Sequence, residues 1–328
     1  MRAAVITRSG GPEVLETVDV PRPLPRDGEV LVRVRTSALN RADLMQRQGR
    51  YPAPPGAPAN IPGLEIAGEV AELGGGVRRW KVGDRVFGIV GGGGNAEYVV
   101  THERELAAVP GALSWEDAAA VPEAFMTAHD ALVTLAAMKP GESVLVHAVG
   151  SGVGLAAVQL VRALKGVCYG TARTADKLER AQALGMRAGA LVQSDPAVLS
   201  GFVHHWTDGK GIDVTLDLVG GPYMPVNVEC SAPLGRIILI GLLAGRAAQV
   251  NLGTLLTRRI TIRGTVMRSR SAREKAAATE AFERDVVPLL ESGEVRPIVD
   301  KIFPLERIGE AHALMESNAT FGKIVLTV

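Results

Sequence analysis

Val144 to Lys165, VLVHAVGSGVGLAAVQLVRALK, decides the fold. Val144-Leu145-Val146 is a short apolar run of the kind shown by a strand buried on both faces. The turn Gly150-Ser151-Gly152-Val153-Gly154 follows. Leu155, Val158, Leu160, Val161 and Leu164 then recur near helical spacing, which makes one apolar stripe of a helix. Strand, glycine turn and helix form the setting in which a dinucleotide pyrophosphate rests on helix N-terminal amides. The G-x-G-x-x-G spacing is not kept: with Gly154 as last glycine, Val149 and Ser151 stand at the two earlier positions. A-x-x-S-x-x-G, from Ala148 through Ser151 to Gly154, describes the turn better. By itself it fits both a phosphate site and a plain tight turn.

Downstream, strand and helix alternate. Strands are predicted at 143–149, 167–171, 190–192, 213–219, 236–240 and 260–265, with helices starting near Gly152, Thr174, Pro196, Tyr223 and Leu252. This alternation predicts an α/β fold containing a doubly wound parallel sheet of order 3-2-1-4-5-6. A long helix over 271–291 comes next, then a mixed pattern at 298–303, 306–317 and 323–327. That tail does not fit the six-stranded sheet and is assigned to the domain upstream.

Upstream, short strands are separated by turns: 2–7, 14–20, 69–73, 85–90 and 96–100. Val30, Val32 and Val34 alternate with Leu31, Arg33 and Arg35 in a further strand with one partly solvated face. Asn40 is placed to cap a short helix over 40–48. The stretch 51–62 carries five prolines and reads as a loop. Glycine corners complete a small-barrel pattern. Ser114-Trp115-Glu116-Asp117 is a helix start, serine cap before acids, and Pro122 is expected to break the alanine-rich run after it. The domains expected are 1–123 with 267–328, and 124–266.

The bulk numbers exclude several classes. The 328 residues are 47% hydrophobic and 22% charged, with a net charge of +1, which gives no general attraction to nucleic acid or membrane. Two cysteines, Cys168 and Cys230, cannot build a disulfide framework or a four-cysteine zinc site; both read as small buried residues. The six histidines show no H-x-H or H-E-x-x-H spacing, and His204-His205 reads as helix surface. Gly150-Ser151-Gly152 lacks the G-x-S-x-G frame of a hydrolase nucleophile, leaving Ser151 as a turn hydroxyl near phosphate or nicotinamide. Seven cations against one acid lie in 257–275, without aromatics to stack on bases. Most of them are expected on the last strand and the start of the long helix. No signal-peptide pattern or membrane-length apolar run stands out, so a cytoplasmic location is expected.

The end of the second predicted strand reports the cofactor. An Asp or Glu there binds the ribose hydroxyls of NAD. The chain reads Gly170-Thr171-Ala172-Arg173-Thr174, with no acid, and Lys177 in the first helical turn adds a second cation. A 2′-phosphate suits them, which points to NADPH; the other reading is a solvated helix start with incidental charges.

With these parts assembled, the chain resembles the medium-chain dehydrogenase/reductase superfamily, in its zinc-independent quinone oxidoreductase branch, on the side of the tumour-suppressor-inducible members. The resemblance rests on the run from Ser37 through Asn40-Arg41-Ala42-Asp43-Leu44-Met45-Gln46-Arg47-Gln48-Gly49, then Tyr51 and Gly63-Leu64-Glu65. It continues in Ser151-Gly152-Val153-Gly154, Leu216-Asp217 with Gly220-Gly221, and Gly322-Lys323-Ile324-Val325-Leu326. It implies a GroES-like β-barrel catalytic domain made from both chain ends, with a Rossmann domain inserted. Zinc-dependent relatives carry Cys where Asn40 stands and G-H-E where Gly63-Leu64-Glu65 stands, so both ligand positions are lost and no metal is expected.

Carried over by position, Asn40, Asp43 and Tyr51 line the acceptor cleft, with Tyr51 hydrogen-bonding a quinone oxygen. Thr127, Ser151, Gly152, Val153 and Gly154 meet the nicotinamide and pyrophosphate. Thr171, Arg173 and Lys177 serve the 2′-phosphate end, and Asn318 and Lys323 touch the cofactor from the C-terminal segment. Met45 departs from bacterial quinone reductases that carry a second tyrosine there. The expected function is NADPH-dependent reduction of a small-molecule quinone without zinc. Two rivals stand beside it: a reductase of activated C=C bonds, and a non-catalytic NADPH-binding protein like the related lens crystallins. The predicted strand at 260–265, at the sheet edge, points to a homodimer or homotetramer.

Overall fold

Lys323–Thr327, at the C-terminal end of the chain, pairs antiparallel with Glu29–Ala38 near its N-terminal end. Segments nearly the full sequence apart therefore share one sheet. The structure, a computed structural model, describes all 328 residues. They fall into two units, Met1–Met126 with Met267–Val328, and Thr127–Val266.

The first stretch of chain holds β1 (Arg2–Ile6), β2 (Leu15–Asp19), β3 (Glu29–Ala38), β4 (Glu65–Leu73), β5 (Arg85–Ile89), β6 (Tyr98–His102) and β7 (Leu106–Ala108). Three helices accompany them: α1 (Arg41–Arg47), α2 (Trp115–Ala119) and α3 (Pro122–His129). Asn40 stands at the N-cap of α1, Ser114 Oγ accepts the Asp117 amide at the start of α2, and Pro122 opens α3. A wider-turned stretch, Asp130–Leu135, continues α3.

The middle stretch alternates β8 (Ser143–Val146), α4 (Gly152–Ala163), β9 (Val167–Ala172), α5 (Ala175–Gln182), β10 (Ala188–Leu191) and α6 (Leu199–Trp206). Next come β11 (Ile212–Asp217), α7 (Tyr223–Cys230), β12 (Ser231–Leu239), α8 (Leu252–Thr257) and β13 (Thr261–Gly264). Its sheet runs β10-β9-β8-β11-β12-β13 with all strands parallel, the expected 3-2-1-4-5-6 order. Leu145, Tyr169, Ala190, Ile212 and Val203 form part of its core, each large apolar side chain contributing about 1.5–3 kcal/mol by leaving water.

The tail carries α9 (Ala272–Asp285), α10 (Val287–Glu291), β14 (Val299–Pro304), α11 (Ile308–Ser317) and β15 (Lys323–Thr327). It completes a seven-stranded sheet of order β14-β15-β3-β4-β5-β7, with β6 also paired to β3. Val30, Val32, Val34, Ile66, Val70, Val86 and Leu106 are buried together there, so the alternation in β3 points its valines inward.

Several details differ from the sequence expectations: β4 begins at Glu65 rather than at 69, and β12 at Ser231 rather than at 236. The helix expected over 271–291 is broken at Val286 (φ −110°) into α9 and α10, because Pro288 has no amide hydrogen to continue the ladder. β8 ends at Val146 rather than at 149, since Ala148 turns left-handed (φ +51°). Of the seven cations in 257–275, Arg258, Arg259, Arg268 and Arg270 lie on neither a strand nor a helix, and Arg268 is only 4% exposed.

Candidate active site

In the unit formed by the chain ends, charged side chains converge beneath the start of α1. Asn40 leaves the end of β3 and opens that helix, while Asp43, one turn on, accepts the Asn40 amide at 2.8 Å and the Gly63 amide at 2.9 Å. Gly63 holds φ +105°, and a Cβ there would lie 2.3 Å from the Asn95 amide nitrogen. Only glycine lets that loop come so near. Asp43 is fully buried, and burial pushes its carboxyl up to about 6 against the pull of the two amides. Both of its oxygens are bound by main chain, and so it fixes Asn40 and Gly63 relative to each other.

Glu65 begins β4 and is fully buried. Its carboxylate accepts from Asn40 Nδ2 at 2.8 Å, Lys323 Nζ at 2.6 Å and the Glu123 amide at 2.8 Å. Lys323 opens β15, and its ammonium also donates to Leu39 O at 2.8 Å and Asn40 Oδ1 at 2.7 Å. All three of its hydrogens are thus spoken for. The Lys323 side chain thereby joins Asn40 and Glu65 in one buried group. Asn318, in the left-handed conformation after α11, pairs with Arg41 and the Glu316 carbonyl.

Arg268 enters the same cluster from the segment after β13. It donates to Gly91 O at 2.8 Å and Gln46 Oε1 at 2.7 Å, while Nη1 is buried without a partner. Its guanidinium carbon stands 5.2 Å from the centre of the Tyr51 ring. Burial lowers its pKa and raises that of the half-buried Tyr51 phenol. Glu123, second residue of α3, has Oε2 shielded from solvent and without a partner. Burial first, and Glu65 second, push Glu123 up to about 7.

In the unit Thr127–Val266 the glycine turn is built as a cradle. Ser151 caps α4 by accepting the Gly154 amide at 3.1 Å, and the Leu155 amide goes to Ser151 O. The amides of Gly152 and Val153 have no acceptor within the helix. A Cβ on Gly154 would come within 2.6 Å of Ala148 O, so glycine brings the helix end hard against the loop after β8. Gly150 is covered by the stem of Lys177: a Cβ there would lie 2.8 Å from Lys177 Cδ. The cation at the start of α5 and the glycine turn are thereby brought together. Arg173 is exposed beside them. Thr171 is turned inward, its Oγ1 at 3.0 Å from His147 Nδ1. It is the first member of a buried chain: His147 Nε2 meets Asn227 Oδ1 at 2.7 Å, and Asn227 donates to Asp217 at 3.0 Å. Thr127 is buried with Oγ1 unpartnered. Two open amides, an orphan hydroxyl and the Lys177–Gly150 contact fit a bound nicotinamide dinucleotide.

Sequence reasoning brings Asn40, Asp43 and Tyr51 to one unit and Ser151, Gly152, Gly154 and Lys177 to the other. It misses Arg268, Glu65 and Glu123 as functional groups. Glu123 leaves a trace, a lone acid in the apolar run Val121-Pro122-Glu123-Ala124-Phe125-Met126. Arg268 leaves none, being one arginine among many.

Comparison with known proteins places these features. The alcohol dehydrogenase GroES-like domain pattern matches residues 26–111, and the zinc-binding dehydrogenase pattern matches 188–326. A quinone oxidoreductase of Lama guanicoe is 32% identical over 99% of this chain and 97% of its own. A mycobacterial protein solved with NADPH superposes with TM-score 0.89 at 28% identity, over 100% of both chains. The enoyl reductase CurK superposes with TM-score 0.87 at 25% identity, over 99% of this chain and 98% of that one.

Proposed function

The chain belongs to the medium-chain dehydrogenase/reductase superfamily, alongside its quinone oxidoreductases, and on that premise we propose that it reduces quinones with NADPH, by hydride transfer and without zinc. The observation that carries this reading is a pair of donors in the catalytic unit. Tyr51 OH and the unpartnered Arg268 Nη1 belong to side chains 5.2 Å apart, ring centre to guanidinium carbon. A quinone that accepts a hydride becomes a hydroquinone anion, and donors fixed in advance stabilise that developing charge. The reduced nicotinamide, when bound, supplies the hydride. Tyr51 then orients one acceptor oxygen, and Arg268 offsets the negative charge. Asn40 and Lys323 hold Glu65 so that its carboxylate stays away from the acceptor. The zinc-free reading is supported by Asn40 and Leu64 at the ligand positions of zinc-dependent relatives, with the Lys323 ammonium already neutralising Glu65 beside them.

NADPH is preferred on the strength of Arg173 and Lys177, with no acid between Val167 and Thr174. We place the protein in the cytoplasm; no helix is long and apolar enough to cross a membrane. We also infer a homodimer, or a homotetramer built from such dimers, through β13. All four β13 residues are exposed, and α8 displays Leu252 at 70% and Leu256 at 74% exposure. An unpaired edge beside exposed leucines suits a second copy of the same edge.

Reduction of activated C=C bonds is the second reading, favoured by the superposition with an enoyl reductase. Steady-state NADPH oxidation with quinones and enones side by side, with and without prolonged chelation, tests both. Chelator-insensitive turnover of quinones above enones supports the first. Enone preference supports the second, and activity that returns only with zinc overturns the metal-free mechanism.

A further inference from the structure

Three carboxyls, Asp43, Glu65 and Glu123, face two cations, Lys323 and Arg268, within the cluster of the catalytic unit. With Tyr51 these are the titratable groups that the surrounding elements turn toward one another, from α1, β4, α3, β15 and the segments holding Tyr51 and Arg268. Their hydrogen bonds divide the acids sharply. Asp43 has two main-chain amides, one to each oxygen. Glu65 has Asn40, Lys323 and the Glu123 amide. Glu123 alone keeps an oxygen, Oε2, that is buried and unpartnered. A third negative charge against two cations, away from water, is costly, and a carboxyl in that position keeps its proton.

We propose that Glu123 is the acid that protonates the reduced acceptor. This rests on the reading of the site as a hydride-transfer reductase and names the proton donor for it. The step balances. The hydride brings two electrons and one hydrogen nucleus to the quinone, leaving a hydroquinone monoanion. The Glu123 O–H bond then breaks, its proton passes to the anionic oxygen, and neutral hydroquinone leaves. The Glu123 carboxylate that remains faces Arg268, and a proton from solvent restores the acid. The sum is quinone, NADPH and one proton to hydroquinone and NADP⁺.

The competing donor is the Tyr51 phenol, whose pKa burial raises further above neutrality. A carboxyl held at about 7 sits much nearer the working pH, where general acids are most effective. Tyr51 remains the group that orients the oxygen, and Glu123 delivers the proton.

The test compares wild type, Glu123→Gln and Glu123→Asp on para-quinones whose hydroquinones differ in acidity. Glutamine should lower kcat by about a hundredfold on the quinones with the most basic hydroquinone anions and by less on the others. It should also abolish the fall in rate that wild type shows above about pH 7. Aspartate should restore part of the rate together with the pH limb. Infrared difference spectra of the resting protein between about pH 5 and about pH 9 give a readout independent of turnover. The protonated-carboxyl band should be smaller in Glu123→Gln than in wild type by the component that titrates near pH 7, while the Asp43 component, near pH 6, stays in both. Normal wild-type turnover with an unchanged pH limb and quinone dependence in Glu123→Gln overturns Glu123 alone. No turnover of any quinone or enone by wild type overturns the reductase reading and this assignment with it.

Discussion

Lys323 Nζ stands 2.6 Å from Glu65 Oε1, and the two side chains are only 6% and 0% exposed. The contact ties the last strand of the chain to β4 in the same sheet. Removing one partner leaves a buried charge without its mate, which costs about 3–5 kcal/mol. Lys323→Met should therefore lower the urea midpoint strongly with little change in slope. The double variant Lys323→Met with Glu65→Gln should lose less than the single, because no charge is left uncompensated. A single variant as stable as wild type would mean that water reaches the pair.

That contact also marks the limit of what the sequence discloses. The apolar run of β8, the helical period of α4 and the glycine turn between them are local patterns, and the parallel sheet follows from their repetition. Ser114 and Pro122 act within a few residues of themselves and are equally legible. Lys323 and Glu65 are 258 positions apart, and nothing local to either records that they meet. Arg268 sits in a run of arginines that reads as solvated until the fold buries it against Gly91 and Gln46. Asp43 is legible as part of a motif, but nothing near it in sequence records that one of its oxygens binds the amide of Gly63, twenty positions on.

Tyr51→Phe removes one hydrogen bond to the acceptor and leaves the ring beside Arg268. The expected loss in kcat/KM for quinones is about tenfold, from a bond of about 1–1.5 kcal/mol. Burial raises the phenol pKa, so the loss should not vary across neutral pH. The Kd for NADPH should hardly move. A variant equal to wild type on every quinone would reduce Tyr51 to a packing role.

Stability should carry the mark of Glu123 as well. Its folded pKa, about 7, lies above the ordinary 4.5, so the folded protein binds more protons than the unfolded chain between those values. The contribution is complete below about pH 4.5 and is lost as pH rises toward about 7. His312, held down to about 3 by burial and Arg47, has the opposite sign: its contribution is lost as pH falls from about 6.5. The difference between wild type and Glu123→Gln isolates the glutamate. Glutamine should gain on wild type by on the order of 3 kcal/mol across that window, read from denaturant unfolding at each pH. Parallel curves for the two proteins would show that Glu123 is already ionised in the fold.

Leu252 and Leu256 test the assembly. On a monomer, exposed leucines replaced by aspartate change stability by no more than about 0.5 kcal/mol. At an interface, two buried charges on each side abolish association. Leu252→Asp with Leu256→Asp should therefore convert the sedimenting species to a monomer while the circular dichroism stays that of wild type. A wild-type protein already monomeric at high concentration defeats the proposal outright.

Cofactor choice rests on Arg173 and Lys177. Lys177 lies over Gly150, so its ammonium is tethered near the turn expected to hold the pyrophosphate, and Arg173 is exposed beside it. A hydrogen bond between charged groups contributes about 1.5–3 kcal/mol, and exposure favours the lower figure. Two such bonds to a 2′-phosphate give about a hundredfold preference for NADPH over NADH. Arg173→Ala with Lys177→Ala should raise the Kd for NADPH by about that factor and the Kd for NADH by less than about threefold. Loss of the Lys177 stem uncovers Gly150 in both cases, so the NADH titration measures that packing effect separately. Added salt should weaken wild-type NADPH binding more than NADH binding, since only the former uses the additional charge pairing. Equal losses for the two nucleotides would assign these cations to the start of α5 and not to the phosphate.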